Sequence, residues 1–159
     1  MRLKPKNDRA GSPRVVLLQH DLHGQIISPT TDVAYRMGTL RADLDQFTTG
    51  GMIVVGRKRQ NTCFLKLLTP VTDGIVEIRS RDPKPSLRLV GGFAEIDVFV
   101  GLYLFSRAEL KGEGSREWRD AIVASKSAWT RMFVTYPRVT GGTINDYLSG
   151  NFIDEDDIR

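Results

Sequence analysis

Between Met52 and Phe105 the chain runs through five apolar, β-branched segments, "MIVVG", "CFLKLL", "GIVEIRSR", "LRLVGGF" and "IDVFVGLYLF", separated only by "RKRQNT", "TPVTDG" and "DPKP" or less. Val, Ile, Phe and Tyr fit a pleated, half-buried surface, and clusters of Gly, Pro, Asn and Asp punctuate strands. Parallel neighbours need a crossover of a dozen or more residues, so connections this short imply an antiparallel meander. In "GIVEIRSR", Val76, Ile78 and Ser80 point one way and Glu77, Arg79 and Arg81 the other, which predicts that one sheet face is charged. In "IDVFVGLYLF", Ile96, Val98, Val100, Leu102 and Leu104 alternate with Asp97, Phe99, Gly101, Tyr103 and Phe105. Both sets are largely apolar, the pattern of a central strand covered on two sides.

Helical spacing flanks these strands. Val33, Met37, Leu40, Leu44 and Phe47 recur at steps of four and three, one stripe of a helix that Thr31 or Asp32 can cap and that Gly50 and Gly51 stop. Trp118, Ile122, Ser125, Trp129, Met132 and Phe133 give a second stripe after a Ser115 cap, predicting a helix over 116–133 with both tryptophans buried. "RVVLLQ" reads as a first strand, the segment to Thr31 as loop, and "INDYL" as a short final helix. The expected fold class is therefore α+β: an antiparallel β-meander of four or more strands, with an N-terminal amphipathic helix and a C-terminal helix packed on it. Residues 1–13 read as a flexible basic arm, 14–153 as a single α+β domain, and 154–159 as an acidic tail.

A chain of 159 residues is long enough to hold a core without staples, and no apolar run approaches the ~20 residues of a membrane-spanning helix. "MRLKPKNDRAGSPR" is basic, but only "VVLLQ" follows it, so a secretory signal is not recognisable and a cytoplasmic location with no membrane partner is expected. The single Cys63 has no partner for an internal disulfide and sits among apolar neighbours, as a buried structural residue does. His20 and His23 flank Asp21 in "HDLH", but lack a third ligand nearby, so no metal and no cofactor is expected. Gly-x-Ser-x-Gly and HExxH motifs are absent from the sequence, and neither "TGG" tripeptide has the spacing of a phosphate-binding loop.

Charge is unevenly placed. Taking away residues 154–159, four acids and one arginine, from a net charge of +4 leaves +7 on the remainder. Such a body draws in polyanions, and nucleic acid is the favoured partner. Arg57, Lys58 and Arg59 lie in one connection, Arg79, Arg81, Lys84 and Arg88 across a hairpin, and Tyr103, Arg107 and Lys111 at and beyond the end of the long strand. Brought together by a meander, they form a basic platform that holds a phosphate backbone and stacks a base; kept apart, they are solvated turns. The acidic end is either a solvated terminus or an internal competitor for the basic surface.

The order of helix, short-turned meander and C-terminal helix, centred on "GIVEIRSRDPKPSLRLVGGFAEIDVFVGLYLF", resembles the RelE/ParE toxin superfamily, in particular its phage-associated HigB-like branch, over roughly residues 33–130. The matching features are Glu77 and Arg79 at a strand end, the basic turn with Lys84, Arg88 before a "GGF" turn, and Val98–Leu104 leading to Arg107 and Lys111. The resemblance implies a type II toxin: a metal-independent messenger-RNA endonuclease, acting on the ribosome in most relatives, with RNA, the ribosome and a small antitoxin protein as partners. In that mechanism a 2′-hydroxyl attacks the adjacent phosphate, and the site offsets growing negative charge while moving two protons. Arg79, Arg81 and Arg88 are the candidate phosphate clamp, Lys84 the candidate base, and Tyr103 the candidate stacking or proton-donating group. Arg57, Lys58, Arg59, Arg107 and Lys111 extend the RNA contact. A non-catalytic nucleic-acid-binding or gyrase-directed relative, and a structural or interaction domain, are the alternatives.

Overall fold

A computed structural model describes residues 1–3, 14–58 and 62–158. Eight strands form one sheet: β1 (Arg2–Leu3), β2 (Val15–Leu18), β3 (Ile53–Gly56), β4 (Leu65–Leu67), β5 (Val76–Ser80), β6 (Leu87–Glu95), β7 (Val98–Ser106) and β8 (Phe152–Asp154). Their spatial order is β1-β2-β7-β6-β5-β4-β3-β8, curled into a half-barrel. Helices α1 (His20–Ile27), α2 (Ala34–Thr48), α3 (Arg107–Leu110) and α4 (Arg116–Met132) cover it.

The antiparallel meander expected for the whole sheet holds only for β4-β5-β6-β7. β2 runs parallel to β7, and β3 runs parallel to both β4 and β8, so the sheet is mixed and the fold class differs from the expected one. β3 and β4, read as neighbours joined by a hairpin turn, instead pair in parallel, with Val55 opposite Leu65. The first helix begins at His20, inside the segment read as loop. Eight residues with one glycine carry too little periodicity to announce a helix, although Leu22 and Ile26, four apart, are both buried.

The two longer helices lie where their apolar stripes place them. Ser115 caps α4, its hydroxyl accepting from the Trp118 amide at 3.1 Å. Asp32 does not cap α2; its carboxylate accepts from the Thr30 hydroxyl, and Val33 occupies the cap position. One sheet face packs on α1 and α2 through Leu22, Ile26, Leu40, Leu44 and Phe47. The other carries α4: Trp118, Ala121 and Ile122 meet Leu68 and Val90, while Ala128 and Trp129 meet Val100 and Leu102. Each of the large aliphatic side chains among these, fully buried, contributes about 1.5–3 kcal/mol, and each alanine methyl less than about 1 kcal/mol.

A bulge redistributes β7 between these layers. Val90 pairs with Tyr103 but Gly91 pairs with Gly101, leaving Leu102 as the extra residue. Beyond it the alternation inverts: Tyr103 and Phe105 join the α4 face with Val100 and Leu102, and Leu104 joins Phe99 on the other. Gly91 is required there, since a Cβ would overlap the Val100 carbonyl. Ile96 and Asp97, read as strand, form the β6–β7 turn, with Asp97 at φ 65°.

Candidate nucleic-acid interface

Cross-strand register decides where the hairpin cations go. Lys66, Glu77, Val90 and Tyr103 make one row across β4 to β7, and Arg79, Arg88 and Phe105 make the next. Both rows lie on the face that α4 and the loop before it cover. Lys66 and Glu77 are 0% exposed, Arg79 7% and Arg88 8%. Glu77 Oε1 accepts from Arg79 Nε at 2.7 Å and lies 3.7 Å from Arg88 Nε. Lys66 Nζ donates to Glu113 Oε2 at 2.6 Å, and Arg79 Nη1 contacts Cys63 Sγ at 3.3 Å. The charged face predicted from "GIVEIRSR" exists, but it is an internal ion-pair cluster under a helix.

Electrostatics follow from this burial. Desolvation is the largest influence on Arg88 and, with Arg79 and Arg107 nearby, brings its pKa down to about 10 despite Glu77. For Arg79 desolvation is again the largest single influence, but the charge and hydrogen bond of Glu77 together with Cys63 and Glu113 outweigh it, and the pKa rises. Burial pushes the Cys63 thiol up to about 11, a protonated and unreactive state.

The remaining expected contacts are dispersed. Arg57 pairs with Asp154, and Lys58 pairs with Asp156 at 3.0 Å, so the acidic residues dock on this connection through β8 and the 3₁₀ turn Glu155–Asp157. Arg59 lies outside the described residues, as do residues 4–13 of the expected arm, whereas Arg2–Leu3 pairs with β2. Arg81 and Lys84 are exposed at the hairpin tip; Lys84 Nζ donates to the Arg81 carbonyl at 3.1 Å and has Asp82 at 3.8 Å. Tyr103 is half-buried against Phe105, 6.0 Å between ring centres. Arg107 is half-buried, and Lys111 pairs with Glu117 at 2.7 Å. Arg79 and Arg81 do share a cleft of about 270 Å³, together with Thr39, Asp43, Thr62, Phe64 and Asp82, in which two carboxylates balance the two guanidinium groups.

A more favourable surface for a polyanion lies at the end of α4. Two adjoining clefts of about 320 and 460 Å³ share Thr130 and Arg138. Phe133, Tyr136 and Pro137 line the first; Lys126, Ser127 and Arg131 line the second. The chain is folded back here by backbone bonds: the Tyr136 amide donates to the Phe133 carbonyl at 3.2 Å, and the Val139 amide to Phe93 at 2.8 Å. Trp129, its ring centre 4.7 Å from that of Phe133 in a tilted pair, donates its indole N–H to the Tyr136 carbonyl at 2.9 Å. Asp73 fixes two of the cations, accepting from Lys126 Nζ at 3.0 Å with its carboxylate and from Arg138 Nε at 2.6 Å with its carbonyl. Arg131 is exposed and has no ion-pair partner among the described residues.

Lys126 and Arg131 lie off the apolar stripe of α4 and belong to no motif in the sequence. "TYPR", an aromatic and a cation around a proline directly after the helix, was the available signal, and the cluster needs the fold-back of 133–140 to exist. Among the described residues no group of three or more His, Cys, Asp or Glu side chains is placed to hold a metal ion, and no helix is long and apolar enough to cross a membrane. Comparisons with protein-family profiles, curated protein sequences and solved structures find no match to this chain.

Proposed function

We propose that the chain is a nucleic-acid-binding protein whose contact surface is the groove at the end of α4. The observation that carries this is Arg131, exposed without an ion-pair partner among the described residues, beside Lys126 and Arg138 in a concave, aromatic-lined surface. A sequence pI of about 9.4 favours a polyanion over an acidic peptide only modestly; the aromatic lining adds a surface for bases. With Lys126 already paired to Asp73, Arg131 and Arg138 imply contact with about two phosphates, which places affinity in the range of non-specific binding, roughly 10⁻⁴ to 10⁻⁶ M at physiological salt.

Strand cleavage is left out of the proposal. The phosphate clamp that the toxin resemblance implies would use Arg79, Arg81 and Arg88; Arg81 is exposed, but Arg79 and Arg88 are buried with Glu77 beneath the α3–α4 region. A guanidinium already spent on a buried carboxylate has little left to offer a transition state. Photo-cross-linking of the full chain to a 4-thiouridine-substituted RNA strand, with the adducts located by mass spectrometry, tests the assignment. Adducts are expected within residues 126–140. Adducts confined to 77–93, or none at protein concentrations of about 100 μM, would overturn it.

A further inference from the structure

We infer that the groove takes an unpaired strand, with a nucleobase stacked on the ring of Tyr136 and neighbouring phosphates on Arg131 and Arg138. This rests on the nucleic-acid reading and adds the substrate class. Tyr136 is 45% exposed, yet it is held at three points. Its hydroxyl donates to Glu95 Oε1 at 2.7 Å, its amide donates to Phe133 at 3.2 Å, and its carbonyl accepts from Trp129 at 2.9 Å.

An exposed tyrosine ordinarily loses rotamer freedom when a ligand orders it. Here the fold has already fixed backbone and hydroxyl, so a base meets a preformed platform. Pro137, next in the chain, limits the backbone further. Lys126 offsets the charge of Asp73, whereas Glu95, bonded to a neutral phenol, keeps its charge at the hydroxyl end of the ring and favours a phosphate placed at Arg131 and Arg138 instead. Arg138 lines the same cleft as the ring and Lys126 and Arg131 line the adjoining one, the arrangement of a single-strand site, with an aromatic face for a base and positive charge along the backbone. A duplex keeps its base faces stacked internally, so it offers the ring no base to stack on and presents its backbone and groove edges instead.

The test compares three probes on the full chain by fluorescence anisotropy: a 12-nucleotide RNA strand, the blunt duplex of the same sequence, and heparin as a polyanion without bases. Tyr136→Ala is expected to weaken single-strand binding about tenfold and to leave duplex and heparin binding within twofold. Tyr136→Phe, which keeps the ring and drops the Glu95 bond, should stay within about threefold on all probes and guards against a folding artefact. Arg131→Ala should weaken all three. Loss of Tyr136→Ala binding equally on every probe, or on none while Arg131→Ala still weakens them, would overturn the stacking inference and leave the charge-based function standing. Absence of binding to every probe by the unaltered protein would overturn the function itself.

Discussion

Removing the Glu77 carboxylate should cost far more than removing the Arg88 guanidinium that faces it, because the buried cluster already holds more positive than negative charge. Lys66, Arg79 and Arg88 are opposed by Glu77 and Glu113, and Glu77 serves two arginines at once. Glu77→Gln removes the carboxylate nearest to both Arg79 and Arg88, which are 7% and 8% exposed. Breaking a buried pair from one side costs about 3–5 kcal/mol, a large share of the 5–15 kcal/mol that holds a domain together. Arg88→Met instead removes the member whose burial is least compensated, and Glu77 retains Arg79 at 2.7 Å. Its expected effect is between about 1 kcal/mol of loss and a small gain. Urea unfolding followed by tryptophan fluorescence reads both, since Trp118 packs on the same face. With a slope of about 2 kcal/mol per molar, Glu77→Gln should lower the midpoint by about 1.5–2.5 M and Arg88→Met by less than about 0.5 M. Equal, sub-kilocalorie effects from both would mean that the arginines reach solvent, returning the hairpin to the role of an open phosphate platform.

Arg14, 2% exposed, donates to the carbonyls of Phe47, Gly51, Gly150 and Asn151 and stacks over Phe47, tying β2 to the end of α2 and to the C-terminal segment. Arg14→Met is expected to lose at least about 3 kcal/mol in the same urea assay, because charge-assisted bonds are worth about 1.5–3 kcal/mol each before non-additivity and the orphaned carbonyls stay buried. Burial raises the Asp43 pKa above its ordinary 3.8, against the opposing Ser80 hydrogen bond and Arg36. The folded state therefore favours the protonated acid, so this contribution is full below 3.8 and is lost as pH rises through the raised folded value. Asp43→Asn should accordingly improve relative to the parent as pH is taken from 3.5 to 7 in paired urea titrations, and a relative decline would refute the sign. Glu113→Ala strands Lys66, 0% exposed, and should cost about 3 kcal/mol, whereas Lys66→Met with Glu113→Ala together should recover most of it; failure of the double variant to recover would show that the pair is not coupled.

What the sequence made legible was periodic. The stripes of α2 and α4 are long enough to outvote local noise, and the antiparallel run β4-β5-β6-β7 follows from short connections between β-branched segments. Parallel pairings such as Val15 with Val98 join segments some eighty residues apart and leave no turn signal. The bulge at Leu102 was hidden because both phases of "IDVFVGLYLF" are apolar, although Gly91 and Gly101, which face each other, marked the close approach. For the candidate site, the alternation of "GIVEIRSR" placed Glu77 and Arg79 on one face correctly, and the error lay in equating charge with exposure. Val90, Tyr103 and Phe105 share that face through register, and apolar neighbours among charges were the cue that something covers it. The groove depends on where 133–140 folds back, a property of tertiary contacts to Phe93, Glu95 and Trp129 that no local pattern encodes.

The measurement that bears most directly on the account is the salt dependence of RNA binding, because it counts phosphate contacts and assigns them to residues. For the unaltered chain, the logarithm of the binding constant against that of salt concentration should fall with a slope of about −1.4, given about 0.7 per single-strand phosphate and two cations, Arg131 and Arg138, not paired to a carboxylate among the described residues. Arg131→Ala should reduce that slope by about 0.7 and weaken binding on every sequence tested, while Arg81→Ala and Lys84→Ala leave both affinity and slope unchanged. A slope carried instead by Arg81 and Lys84, with Arg131→Ala indistinguishable from the parent, would contradict the account.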